Sequence, residues 1–363
     1  VSEDILLVGP LAHPALCGVL GVTGLRTTVP GRLLGGARAG IEADGWPQLA
    51  KAPAPLDALQ VTMTPRLERY AAVMRLPMTA HEGATLLGVR PYSGEDAAEW
   101  LGSAWLPDLA AVIAGIILDE SEDQPPERIA RRLPMIGVWA ESRLRAASSG
   151  FSGGNVVAPR SNADIRLHAR HQPYAGFFTF EEWRLSHRTH AGGFTPELRR
   201  EGFVMGDAVV VLPWDPVRDR VLVIEQFRLG PAMRHDPQPW MLEAIAGRID
   251  AGETVEEAAR REALEEADLQ LIRLIPAIHH YPSPGAVTEF LYQFLGIADL
   301  PDGCAGIHGL DGEAEDIRGH LLKRSELTAM VLAGQITNGP LAMMALWLEG
   351  QAESLRAAGP GFS

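Results

Sequence analysis

The stretch Gly247-Arg248-Ile249-Asp250-Ala251-Gly252-Glu253, followed by Thr254 to Arg260 and then Arg261-Glu262-Ala263-Leu264-Glu265-Glu266-Ala267-Asp268-Leu269, decides how the C-terminal half of the chain is read. Thr254 and Glu257 have the spacing of a capping box. Alanine, leucine, arginine and glutamate dominate the residues beyond it, so a helix is expected over Thr254 to Ala267. On a helix, positions i, i+3 and i+4 share a face, which crowds Glu262, Glu265 and Glu266 together. Like charges at that spacing repel by a few tenths of a kcal/mol per pair. A surface helix would normally place lysine or arginine among them. Three carboxylates on one stripe instead suit a hard dication such as Mg²⁺ or Mn²⁺. Gly247 and Gly252 bracket a tight loop that can bring backbone carbonyls to the same place. The competing reading of the glutamates alone is a solvated acidic helix face.

Outward from this segment the pattern is α/β. Ala208-Val209-Val210-Val211-Leu212-Pro213 and Val221-Leu222-Val223-Ile224-Glu225 are rich in β-branched residues and of strand length. Asp215-Pro216 supplies a turn between them, so a hairpin is expected. Leu291 to Ala298 reads as a further strand, and Glu326 to Ala333 and Leu341 to Leu355 as helices. Upstream, Ser148-Ser149-Gly150-Phe151-Ser152-Gly153-Gly154-Asn155 is small and polar, the composition of a linker. A helical, arginine-bearing stretch, Val138 to Ala147, precedes it. The expected division is a first domain over 1–147, a linker over 148–164 and a second domain over 165–357.

Composition narrows the function classes. The chain has 363 residues, 46% of them apolar, and a net charge of −14. That suits globular cores and argues against a generic nucleic-acid binder, which would show a basic face. An acidic chain still binds a phosphorylated metabolite when a metal cation mediates the contact. Val1-Ser2-Glu3-Asp4 is acidic where a secretory signal starts basic. The longest strongly apolar run, Leu109 to Leu118, is too short for a bilayer core of about 30 Å. No membrane association and a cytoplasmic location are therefore expected. Cys17 and Cys304 lack metal-site spacing and read as two reduced thiols.

The quoted segment resembles the Nudix box, GX5EX7REUXEEXGU, where U is a bulky apolar residue. Gly247, Glu253, Arg261, Glu262, Glu265 and Glu266 fall in register, and Leu269 fits the last U. Ala263 is small where a bulkier residue is usual, and Asp268 replaces the glycine that ends the helix. Asp enters the left-handed region more readily than most residues, so Asp268 is expected to serve as the cap. From about Arg199 to Leu348 the chain is similar to the bacterial ADP-ribose pyrophosphatases. The matching stretches include Arg199-Arg200-Glu201, Gly206-Asp207-Ala208, Glu225-Gln226-Phe227-Arg228, Pro239-Trp240, Ser283-Pro284-Gly285 and Glu313-Ala314-Glu315-Asp316-Ile317-Arg318. The implied fold for this half is a Nudix α/β/α sandwich.

The resemblance implies hydrolysis of a diphosphate, giving AMP and ribose 5-phosphate from ADP-ribose. It implies metal ligation by Glu262, Glu266 and the Ala246 carbonyl, with Glu315 completing the shell and Glu265 beside them. Glu313, in a glycine-bearing loop, matches the general base. A loop carboxylate can close over substrate and take a proton from the attacking water. Arg200 and Arg228 match positions that hold the diphosphate and neighbouring groups, and a guanidinium fork suits paired phosphate oxygens. A structural ion-pair role is the alternative for each. Ser283 and Gly285 are expected in a tight turn near the ribose or the metals. Trp240 is read either as a base-stacking ring or as core. Arg261 is expected to pair with Glu253. His279, His280 and His308 fit no common zinc spacing.

The first 147 residues carry a fainter resemblance to the gamma-glutamylcyclotransferase-like fold, a smaller α/β domain. It rests on Ile5-Leu6-Leu7-Val8-Gly9-Pro10-Leu11 and on Leu67-Glu68-Arg69-Tyr70-Ala71, where Ala71 stands at the acidic position. That implies a cyclotransferase-like domain without the activity; an unrelated α/β domain is the alternative. Proteins pairing these two halves resemble those linked to tellurite resistance. A homodimer is expected by the same analogy. The competing functions are hydrolysis of another nucleoside diphosphate sugar and a non-catalytic ADP-ribose sensor.

Overall fold

A computed structural model describes residues 5–94, 98–150, 154–309 and 316–358. The chain forms two compact units, Val1–Val204 and Met205–Ser363. The sequence placed 165–204 with the second domain, whereas by compactness these residues group with the first unit.

In the second unit, Ala208–Asp215 is buried along its whole length. An uninterrupted apolar run is what a strand needs when both its faces are covered. This strand pairs in parallel with Leu291–Ile297 and antiparallel with Ile245–Arg248. It joins Arg220–Phe227 through the expected hairpin, with Trp214 opposite Val221. Asp215 makes the turn, its Oδ1 accepting from the Val217 and Arg218 amides at 2.9 and 3.0 Å. Among the described residues the sheet has eight strands.

Two cores form, one on each face. Val209, Val211, Leu222 and Ile224 pack against Ala258, Ala259, Ala263 and Ala267 of the helix Val255–Ala267. Val210, Leu212, Trp214 and Val223 pack with Leu327, Leu341, Met344 and Leu348 of the helices Arg324–Leu332 and Gly339–Ala357. Helix, sheet and helix are thus stacked as an α/β/α sandwich.

Among its described residues the first unit holds a six-stranded sheet and a separate three-stranded one. Ile5–Val8, buried throughout, pairs antiparallel with Gln48–Val61 and parallel with Ala84–Leu87. Helices Pro107–Asp119 and Leu133–Ser148 belong to the same unit. The three-stranded sheet is an antiparallel run of Ile165–Ala175, Thr179–His187 and Leu198–Val204. Among the described residues no helix is long and apolar enough to cross a membrane. Both cysteines are free, Cys17 buried and Cys304 half-buried.

Candidate active site

The box helix begins as its sequence requires. Thr254 Oγ1 accepts from the Glu257 amide at 3.2 Å, and Glu257 Oε2 accepts from the Thr254 amide at 2.9 Å. The Thr254 amide, and the Thr254 hydroxyl donating to the same oxygen at 2.7 Å, hold the Glu257 carboxyl below its ordinary range. The helix ends on Asp268 at φ 50°, ψ 37°, with its amide reaching the Ala263 and Leu264 carbonyls. The residue that breaks the glycine rule therefore still performs the left-handed cap. Ala263 is small because it lies fully buried against the sheet.

The three glutamates separate into two kinds. Glu262 and Glu266 lie one turn apart on the buried face, among the alanines. They are 9% and 3% exposed. Glu266 Oε2 accepts from the Ala246 amide at 3.0 Å, which ties the helix to the strand Ile245–Arg248. Glu262 lies against Gly247 of that strand. A Cβ built on Gly247 would stand 1.9 Å from the Glu262 carboxylate carbon, so only glycine leaves room for this carboxylate. Glu265 turns aside, half-buried, and meets Arg261 at 3.0 Å.

Arg261 is the hub of the junction. It donates to both oxygens of Glu253 at 2.9 Å, to Glu262 Oε1 at 2.7 Å and to the Arg248 carbonyl at 2.9 Å. The hydrogen bonds to Glu253, more than any other contact, hold its pKa above the ordinary arginine value. The expected Arg261–Glu253 pair is present, and the same guanidinium also offsets repulsion within the glutamate cluster.

Arg228 makes an ion pair of the kind the sequence reading gave as its alternative role. Its Nε and Nη2 grip Glu243 Oε2 at 2.9 and 2.7 Å, and Asn338 donates to the other oxygen of Glu243 at 3.1 Å. Ser283 and Gly285 sit in an exposed turn, where Ser283 O accepts from the Ala286 and Val287 amides at 3.2 and 3.0 Å. Arg200 lies in the first unit on Leu198–Val204, exposed, its guanidinium donating to the Arg199 carbonyl at 2.9 Å. Glu313 and Glu315 lie outside the described residues. Among the described residues no group of three or more His, Cys, Asp or Glu is set to hold a metal. His279 is instead a structural acceptor for the Gln293 amide at 3.1 Å.

Trp240 is not core. It is half-exposed, stands edge-on to Phe227 and lines a cavity of about 620 Å³ with Glu225, His320 and Ile336. Leu242 and Leu322, in the same lining, pack on the sheet face away from the box helix. The cavity is therefore distinct from the carboxylate site.

Nothing in the sequence marks Glu289 as different from other surface acids. In the structure burial pushes its carboxyl pKa up, Arg248 and Arg228 oppose that shift, and Asp207 adds to it. The folded state therefore binds this proton more tightly than the unfolded chain. Its contribution to stability is present below the ordinary carboxylate pKa and is lost as pH rises through the folded value. The variant Glu289→Gln lacks that loss. Its melting temperature relative to wild type is expected to climb across that window and to level off above it. Thermal unfolding at steps between about pH 4 and about pH 8 checks this, and a flat difference would show an ordinary carboxylate.

A NUDIX domain model matches residues 205–337. The chain is 41% identical to the ADP-ribose pyrophosphatase of Escherichia coli (strain K12) over 202 residues, which cover 56% of this chain and 96% of that one. It is 36% identical over 191 residues to the ADP-ribose pyrophosphatase of Haemophilus influenzae, covering 52% and 88%. It is 30% identical over 145 residues to the GDP-mannose pyrophosphatase of Yersinia enterocolitica, covering 40% and 74%. An alignment of 202 residues is longer than all of Met205–Ser363, so the likeness reaches back into the three-stranded sheet.

Proposed function

Because the chain belongs to the Nudix family, we propose that it hydrolyses the diphosphate of ADP-ribose, with Mg²⁺ or Mn²⁺, to AMP and ribose 5-phosphate. The observation that carries this reading is the buried pair Glu262 and Glu266, pressed against the strand Ile245–Arg248 at a glycine that makes room for one of them. Two carboxylates with scarcely any solvent are costly unless a cation or donors meet them. Oxygen donors of this kind fit a hard dication, and Glu262, Glu266 and the Ala246 carbonyl would hold it. Glu315 would complete the set, and Glu265 would shape it from the side. When bound, the metal supplies neutralisation of the phosphate oxygens and a lowered pKa for the attacking water.

The chain's own residues do the rest. Glu313 takes the proton of the attacking water as the oxygen–phosphorus bond of the diphosphate breaks. Arg200 and Arg228 are assigned to the phosphate oxygens, with Arg228 held in aim by Glu243. Ser283 and Gly285 are assigned, through their turn, to the ribose or the metals. The protein is read as a cytoplasmic homodimer that takes a nucleotide sugar and neither nucleic acid nor membrane. The first 147 residues are read as a non-catalytic cyclotransferase-like body, in a protein of the kind linked to tellurite resistance.

Incubation with Mg²⁺ and a panel of nucleoside diphosphate sugars, followed by chromatography, tests the reading. AMP and ribose 5-phosphate are expected from ADP-ribose and should vanish with chelator. The similarity to a GDP-mannose pyrophosphatase makes another sugar nucleotide the second reading. Turnover of GDP-mannose without ADP-ribose would move the substrate to it. No turnover of any member would favour a sensor.

A further inference from the structure

Arg132, just ahead of the helix Leu133–Ser148, is buried and all three of its nitrogens leave that helix. Nη1 donates to Glu120 Oε1 at 2.8 Å, Nη2 to Thr179 Oγ1 at 2.9 Å and Nε to the Gly176 carbonyl at 3.1 Å. The side chains of Arg132 and Glu120 are 8% and 0% exposed. Glu120 ends the helix Pro107–Asp119, while Gly176 lies in the turn between the first two strands of the three-stranded sheet and Thr179 begins the second of them. A second anchor lies along the same sheet. Arg170 reaches Asp119 at 3.1 Å and Glu181 at 2.5 Å, and Arg143 of the helix Leu133–Ser148 stands 3.9 Å from Glu181. Buried Glu181 also accepts from Trp183 Nε1 at 2.7 Å, and Trp183 is the cross-strand partner of Arg200.

These anchors add to a sheet with little buried apolar surface. Of the eleven residues in Ile165–Ala175 only Ala175 is buried, so the sheet has little apolar core of its own. Three strands without a hydrophobic face are marginal alone. Removing one partner of a buried charge pair is far more damaging than removing a surface pair, because it strands the other charge.

We infer that the N-terminal body is a built-in holder for the sheet that carries Arg200, with Arg132 as the positioning residue that locks it. The first unit is a single device, in which helix ends grip the sheet and fix the strand Leu198–Val204. The effect on substrate rests on the proposed assignment of Arg200 to the diphosphate.

The test uses the full chain and the variants Arg132→Met, Arg132→Lys and Thr179→Val. Peptide-resolved hydrogen exchange and steady-state kinetics with ADP-ribose and Mg²⁺ are read together. Arg132→Met is expected to speed exchange in 165–204 about tenfold or more, with the helix Val255–Ala267 unchanged. KM should rise about five- to tenfold with kcat within about twofold, the pattern of lost uniform binding. Arg132→Lys keeps the charge beside Glu120 and should recover part of both effects. Unchanged exchange in 165–204 would overturn the holder. Faster exchange there with an unchanged KM would overturn the positioning role and leave the hydrolase reading standing. Absence of turnover in the wild type would sink that reading while exchange still decides the holder. Should Arg132→Met fail to fold, Thr179→Val removes one acceptor only and carries the same comparison.

Discussion

Glu266→Gln is expected to lower kcat for diphosphate hydrolysis about 10³-fold, roughly 4 kcal/mol of lost transition-state stabilisation. Glutamine keeps the length of the side chain and an amide oxygen. The Ala246 N–H that now reaches Glu266 Oε2 at 3.0 Å therefore keeps an acceptor. What disappears is the negative charge, in a place 3% exposed where water supplies little compensation. A group whose only task was to tie helix to strand would tolerate this change, with stability moving by about 1 kcal/mol in either case. Glu265→Gln is the internal control. Its carboxylate is half-buried and already bonded to Arg261, so its loss should cost about tenfold or less. Steady-state kinetics with ADP-ribose, paired with melting curves, separates the two. Equal losses for Glu265 and Glu266 would mean that the stripe acts as a bulk acidic surface, and the distinction between buried and turned-aside carboxylates would fall.

Helix spacing alone did not carry that distinction; only the family resemblance set Glu262 and Glu266 apart from Glu265. Spacing placed Glu262, Glu265 and Glu266 on one stripe, because i, i+3 and i+4 are neighbours on any helix. Which of them faces the sheet depends on the alanines at 258, 259, 263 and 267, whose small side chains bring the helix close. Local chemistry was easier to read. The Thr254–Glu257 capping box and the left-handed Asp268 depend only on residues a few positions apart. The buried run at Ala208–Asp215 likewise showed itself by composition. Long-range contacts left no local mark. The grip of Arg228 on Glu243 joins a residue just past one strand to a residue of another, and Glu289 owes its raised pKa chiefly to burial, against the opposing charges of Arg248 and Arg228. Arg132 and Glu181 link 165–204 to the rest of the first unit through partners that no spacing rule reveals.

Gly247→Ala should separate geometry from charge, because it leaves every glutamate in place. The added Cβ would lie 1.9 Å from both the carboxylate carbon and Oε1 of Glu262. Something must move, and the end of a flexible side chain moves more cheaply than a strand paired to Val209. The carboxylate is therefore expelled toward Arg261, which already holds its Oε1 at 2.7 Å. The fold should lose about 1–2 kcal/mol, a few degrees in melting temperature. Turnover should fall about 10²-fold or more, since a displacement of about 1 Å at a reacting centre is enough for that. The decisive comparison is the double variant. If Gly247 acts only by making room for Glu262, then Gly247→Ala combined with Glu262→Gln should be no slower than Glu262→Gln alone, a coupling as large as the single effect. Multiplied losses would instead show that the glycine serves the site through its backbone, independently of the carboxylate it admits.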